Sequence, residues 1–233
     1  MVTVASIHQP QYLPYLGFFH KVAHSDVLVM LDNVQFHRRG LQHRNRIKTS
    51  QGWQWLTVPV SSGSREVLKD VLVSSTEAWQ AKHSRALELN YSRAPFFSQL
   101  APGLVGILGR PWRYLAELDV ELTRWVMNAL GLETRVVLAS SLGVDGTRSD
   151  LLVDICRAVG ASAYLSGPGG RQYMDLVAFQ EADIDVRWQD FRYPSYQQLF
   201  PSAGYIPDLS IVDVLFCCGA ETTATWSNGD GLG

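Results

Sequence analysis

His8-Gln9-Pro10-Gln11-Tyr12-Leu13-Pro14-Tyr15-Leu16-Gly17 follows the apolar run Val2-Thr3-Val4-Ala5-Ser6-Ile7 and precedes a helix-like stretch over 18–25. The apolar run reads as a buried strand. Two prolines and a glycine then hold a histidine, two glutamines and two tyrosines on a stiff turn at a strand end. In open α/β sheets, ligands bind outside the carboxyl ends of the strands. Polar side chains there are better placed for chemistry than for packing.

The pattern recurs down the chain. Residues 27–31 form a second continuous apolar run, as for a strand covered on both faces, and it ends at Asp32-Asn33. Residues 36–48 read as a basic, polar loop, 53–60 as a strand and 61–65 as a turn. Helical spacing appears over 77–91 and most clearly over 113–130, where Leu115, Leu118, Leu122, Val126 and Ala129 share a face. Gly131 and Gly160 stand where helix C-caps belong. Further strands are expected at 135–138, 161–165 and 185–188, with helices at 149–159, 172–181 and 210–217. Alternating strands and helices predict an α/β fold. Its sheet is mostly parallel with flanking helices, in Rossmann-like layering, with a helical insertion at about 63–130. One domain over 1–226 and a flexible tail over 227–233 are expected.

With 233 residues, 46% of them hydrophobic and 18% charged, the chain has material for a full core. A net charge of −2 gives no global pull toward nucleic acid or acidic membranes. Three cysteines, two of them adjacent, make neither a disulfide framework nor metal-ligand spacing. They suggest a reducing, cytoplasmic setting. No signal peptide and no membrane span are expected, and neither a metal nor a cofactor is called for.

His8 can take a proton from an attacking amine or hydroxyl near neutral pH; a histidine that only orders the turn is the alternative. Gln9 and Tyr12 are placed to orient a substrate, or to make local turn bonds. Asp32, with Gln35 after it, shares the sheet edge with His8 if the two strands are adjacent, and would orient the imidazole or grip an ammonium group; otherwise Asp32 starts a turn. Arg44, Asn45, Arg46 and Lys48 suit a phosphate or carboxylate, although most charge runs are solvated surface. Gly167 and Gly169, in Ser166-Gly167-Pro168-Gly169-Gly170, would bring backbone N–H groups to an anion, or simply form a tight turn. Cys217-Cys218 has apolar neighbours and is discounted as a nucleophile.

These residues resemble the WbqC-like protein family. The resemblance is carried by His8-Gln9-Pro10 with Tyr12 and Pro14, then Asp26, Asp32, Gln35, Arg44-Asn45-Arg46-Ile47-Lys48 and Thr57-Val58-Pro59. A second block is Ser140-Ser141, Tyr164-Leu165-Ser166-Gly167, Tyr173 and Phe179; a third is Tyr196, Gln198, Leu209-Ser210-Ile211-Val212-Asp213 and Gly219. Tyr173 and Gln198 join the expected substrate-binding set on this ground. The chain departs from the family pattern at Cys217-Cys218, since the family has an asparagine near position 218.

The resemblance implies a place in bacterial surface-polysaccharide (O-antigen) or natural-product biosynthesis. The implied role is decorating an amino sugar or another amine by acyl or aminoacyl transfer. The expected partners are then an amine and an activated thioester donor, free or on a carrier protein. A nucleotide-using enzyme of nucleotidyltransferase-like layout is the alternative, although Leu16-Gly17 is followed by Phe18-Phe19 and not by a histidine-glycine-histidine signature. A non-catalytic scaffold of a biosynthetic complex is the other.

Overall fold

The computed structural model describes residues 2–63, 66–75 and 78–220. In chain order the elements are β1 (Val4–His8), α1 (Leu16–Ala23), β2 (Val27–Met30), β3 (Arg44–Thr49), β4 (Gly52–Thr57), β5 (Val60–Ser61), β6 (Leu72–Val73), α2 (Trp79–Tyr91), α3 (Phe97–Leu108) and α4 (Leu115–Leu130). There follow β7 (Arg135–Leu138), α5 (Arg148–Val159), β8 (Ala163–Ser166), α6 (Leu176–Glu181), β9 (Asp185–Trp188) and α7 (Ile211–Cys218).

Five strands form one parallel sheet in the order β7-β2-β1-β8-β9. The α/β fold with flanking helices is therefore as the sequence predicts. Parallel strands are covered on both faces, which explains their unbroken apolar runs. Ala5 and Ile7 of β1 pack into a core with Leu151, Ile155 and Phe179 from α5 and α6. The other face meets α1, α4 and α7 through Phe18, Phe19, Val126, Met127 and Leu215. A third core joins α2, α3 and α4 to the β3–β4 hairpin through Leu87, Leu104, Leu118, Ile47 and Leu56. Gly131 and Gly160 close α4 and α5 in the left-handed conformation, with φ of 68° and 74°, as C-cap glycines do.

Two expectations change, and helix α3 forms within the expected helical insertion, where the sequence pattern marks no separate helix. The basic stretch ends as strand β3, antiparallel to β4. Its alternation is hidden because one inward side chain is the polar Asn45 and because Lys48 is buried as well. Helix α3 carries Pro102 in its interior, a residue that normally ends a helix; burial of Ala101, Leu104, Ile107 and Leu108 outweighs it. The helix expected over 172–181 is shorter. A 3-10 turn, Pro168–Gln172, comes first. Asp175 then accepts from the Val177 N–H and caps α6. The tail expected at 227–233 lies outside the described residues.

Candidate functional site

The strand order reverses between β1 and β8, since the chain runs outward from β1 through β2 to β7 and then returns to β8. Such a reversal opens a crevice at the carboxyl ends of the two central strands. Ser6 pairs with Leu165, so His8 and Gly167, two residues further along each chain, leave the sheet side by side. The fold thus brings the histidine turn and the glycine-rich turn together, as their positions at two strand ends suggest.

His8 is only partly open to solvent. Its Nδ1 lies 2.9 Å from the Gln9 carbonyl oxygen. A carbonyl only accepts, so Nδ1 carries the proton and Nε2 keeps its lone pair. The ring also meets Phe18 edge-on at 4.9 Å. Burial, reinforced by the nearby Lys21 ammonium, pulls the imidazole down to about 3. His8 is therefore neutral at physiological pH with a fixed tautomer, the state a proton acceptor needs.

Asp32 does not orient it. The Asp32 carboxylate accepts from the Ser140 N–H at 2.8 Å and from the Ser140 hydroxyl at 2.6 Å, fastening the end of β2 to the turn after β7. The group that orients the imidazole is the Gln9 carbonyl. The Gln9 side chain accepts from Gln42, which in turn accepts from the His37 N–H, so Gln9 is held by the loop before β3. Gln35 is exposed and forms an isolated bridge with Val67.

In the glycine-rich turn, Gly170 is the position without room. A Cβ there would press on the Ser166 hydroxyl, on Met174 at 3.1 Å and on Trp188 at 3.2 Å, whereas one on Gly169 would meet nothing within 4 Å. Gly170→Ala is expected to cost about 1–3 kcal/mol, and Gly169→Ala to stay within about 0.5 kcal/mol of the parent. Urea denaturation of the two variants checks this, and equal losses would contradict the packing described.

Tyr12 is fully buried and its hydroxyl lies 2.8 Å from His83 Nδ1. His83 Nε2 faces the Thr57 carbonyl at 3.2 Å. That carbonyl needs a donor, so Nε2 holds the proton and the tyrosine donates to Nδ1. Tyr12 joins β1's following loop to α2 and does not line the crevice. Burial pulls His83 down to about 4. Its unfolded value is near 6.5, so its stabilising share is complete above that pH and is lost as pH falls toward 4. Between pH 7 and pH 5 the loss is about 2 kcal/mol. The stability gap between the parent and His83→Gln should narrow by that amount over the same range in pH-resolved denaturation; a constant gap would remove His83 as the cause.

The basic motif splits by face. Asn45 is buried and donates to the Leu13 carbonyl at 2.7 Å, while its own oxygen accepts from the Arg46 N–H. The Ser210 hydroxyl donates to the same Leu13 carbonyl at 2.9 Å. Leu13 has φ of 46°, a left-handed conformation that side chains other than glycine, asparagine and aspartate adopt at a cost. Two side-chain donors hold it there. Lys48 is buried and its Nζ donates to Gln198 Oε1 and to the Gly204 carbonyl. Gln198 donates to the Tyr196 hydroxyl and the Ile206 carbonyl. Asn45, Lys48 and Gln198 thus bind the chain to itself. Arg44 and Arg46 lie on the hairpin's outer face, and Tyr173 is exposed.

Some participants carried no local signal. Lys21 is buried on α1, and burial lowers its amine to about 8. Asp213 is buried and accepts from both the Tyr91 and Tyr196 hydroxyls. Burial pushes the Cys217 thiol up to about 12, which leaves it little thiolate. A cleft of about 530 Å³ opens at the ends of β2 and β7, lined by Asp32, Leu138, Trp112 and Tyr114 and by charges of both signs, among them Lys69, Asp70, Glu117 and Arg124. Among the described residues no group of three or more acidic, histidine or cysteine side chains could hold a metal. No helix there is long and apolar enough to cross a membrane.

The chain is 37% identical over 220 residues to the uncharacterized protein Rv1507c of Mycobacterium tuberculosis, covering 93% of this chain and 94% of that one. No solved structure matches it. The WbqC-like protein family matches residues 9–225, a span that begins one residue after His8 and holds Gln9, the glycine-rich turn, the hairpin and α7. On that match, extending across nearly every element just described, the chain belongs to the WbqC-like protein family.

Proposed function

We propose that the protein is an amide-forming acyl or aminoacyl transferase acting on an amine, with its reaction at the crevice between β1 and β8. The observation that carries the reading is His8: a neutral imidazole whose Nδ1 proton is held by the Gln9 carbonyl and whose Nε2 is left to accept. The amine nitrogen attacks the carbonyl carbon of a thioester. Its proton passes to Nε2, the carbon–sulfur bond breaks, and Nε2 returns the proton to the departing thiolate. A weakly basic imidazole near Lys21 holds that proton only briefly, so the leaving sulfur is its natural destination. No covalent enzyme intermediate is needed.

The experiment is mass-spectrometric detection of amide product from acyl and aminoacyl thioesters, or from the corresponding free acids, offered with amino sugars and other amines, with and without ATP. Thioester-dependent product that His8→Ala abolishes supports the transferase. Product only with ATP and a free acid favours a nucleotide-using enzyme instead, a reading that the five-strand order reversing at β1 also suits.

A further inference from the structure

The outer face of the β3–β4 hairpin carries a ladder of arginines and tryptophans. Arg44 lies over Trp55 at 4.5 Å from the ring centroid and Arg46 over Trp53 at 5.2 Å. The two indoles meet edge to face at 5.6 Å. Trp53 is 45% exposed and Trp55 38%, large for side chains of this size on a folded surface. The pairs are diagonal, since Arg44 stands opposite Thr57 and Arg46 opposite Trp55.

The charge on this face is not balanced by acid. Arg44 donates to the Arg39 carbonyl, Arg46 to the Asp208 carbonyl and Arg38 to the Ser62 carbonyl. These are main-chain acceptors, and among the described residues none of these guanidiniums has a carboxylate partner. Arginine forks left in this state match phosphate oxygens. Exposed indoles beside them offer stacking faces for a base. The loop that carries Arg38 and Arg39 is also tied to the crevice, through Gln42 to Gln9 and through the Leu41 carbonyl to the Tyr12 N–H.

We infer that this hairpin face binds the nucleotide end of a coenzyme A thioester. The adenine stacks on Trp53 or Trp55, and the pyrophosphate and ribose phosphate lie on Arg38, Arg39, Arg44 and Arg46. This inference rests on the acyl-transfer reading and names its donor. A long pantetheine arm would carry the thioester from the hairpin along the Gln42–Gln9 connection toward His8. The ligand is small and its phosphates meet a local cluster, so an overall charge of −2 is no obstacle.

The test is quenching of tryptophan fluorescence in the full chain by free coenzyme A, with ADP, inorganic phosphate and a short single-stranded oligonucleotide as competitors. Saturable quenching is expected, displaced by ADP more readily than by phosphate. Binding should weaken at least about tenfold in Arg44→Gln and in Trp55→Leu, and should survive in His8→Ala. Both substituted side chains are on the surface, and circular dichroism of each variant checks that it is folded. Absence of saturable quenching overturns the inference, as does affinity unchanged in both hairpin variants or an oligonucleotide that binds more tightly than coenzyme A. Coenzyme A bound at the hairpin by a chain that forms no amide would sink the transferase reading and leave this site standing. Amide formed from thioesters that lack the nucleotide, as efficiently as from coenzyme A, would do the reverse.

Discussion

Turnover by a His8→Ala variant is expected to fall about 10²- to 10⁴-fold, the usual contribution of one positioned proton acceptor. Stability should change far less, because the ring is partly exposed and its hydrogen bond is a local one, to the neighbouring Gln9 carbonyl. His8→Asn separates the roles: an amide can donate to the same carbonyl and order the turn, but it cannot take up a proton. If the histidine only orders the turn, His8→Asn restores turnover; if it is the base, His8→Asn is as slow as His8→Ala. A pH profile adds an independent readout. A base works when unprotonated, and the His8 imidazole is held down to about 3. The acid side of the profile should therefore show no fall near pH 6.5 from this residue, and activity lost through a single ionisation at 6.5 would count against His8.

Asp213→Ala is expected to destabilise the fold by about 3 kcal/mol or more. The carboxylate is wholly buried and accepts from two tyrosines, Tyr91 at 2.8 Å and Tyr196 at 2.6 Å. Alanine orphans both hydroxyls, and each unsatisfied buried donor costs about 1–3 kcal/mol. The damage spreads, because the Tyr91 hydroxyl also accepts from the Lys48 N–H of β3 and Tyr196 accepts from Gln198, which holds Lys48 Nζ. Burial raises the Asp213 carboxyl, against the lowering pull of the two tyrosine hydroxyls and Lys48. Asp213→Asn keeps an acceptor and should lose less than the alanine variant. Guanidinium denaturation checks the order; an alanine variant as stable as the parent would mean that the tyrosines find other partners.

The parallel sheet was legible because burial on both faces writes itself as unbroken apolar runs, as in residues 27–31. The hairpin was not, because Asn45 and Lys48 are buried polar groups whose partners are remote in sequence: Asn45 bonds Leu13, and Lys48 bonds Gln198, 150 residues on. A polar residue buried by a distant partner looks like surface when read locally. The same reason separates the two halves of the candidate site. His8 announces itself through the prolines around it. Asp32 was placed correctly at its strand end, but its bond to Ser140, 108 residues away, exists only through the sheet order that sets β7 beside β2.

The doubly held Leu13 carbonyl has a consequence for the order of assembly. Its donors come from 32 and 197 positions further along the chain. Contacts of such separation form late, after the loops between them have closed. During synthesis the turn that carries His8 leaves the ribosome early, yet its Leu13 carbonyl gains its second side-chain donor only when Ser210 has emerged and docked. A nascent or truncated chain that lacks α7 thus holds this carbonyl with one donor fewer, and the turn is fully tied only once that helix has docked.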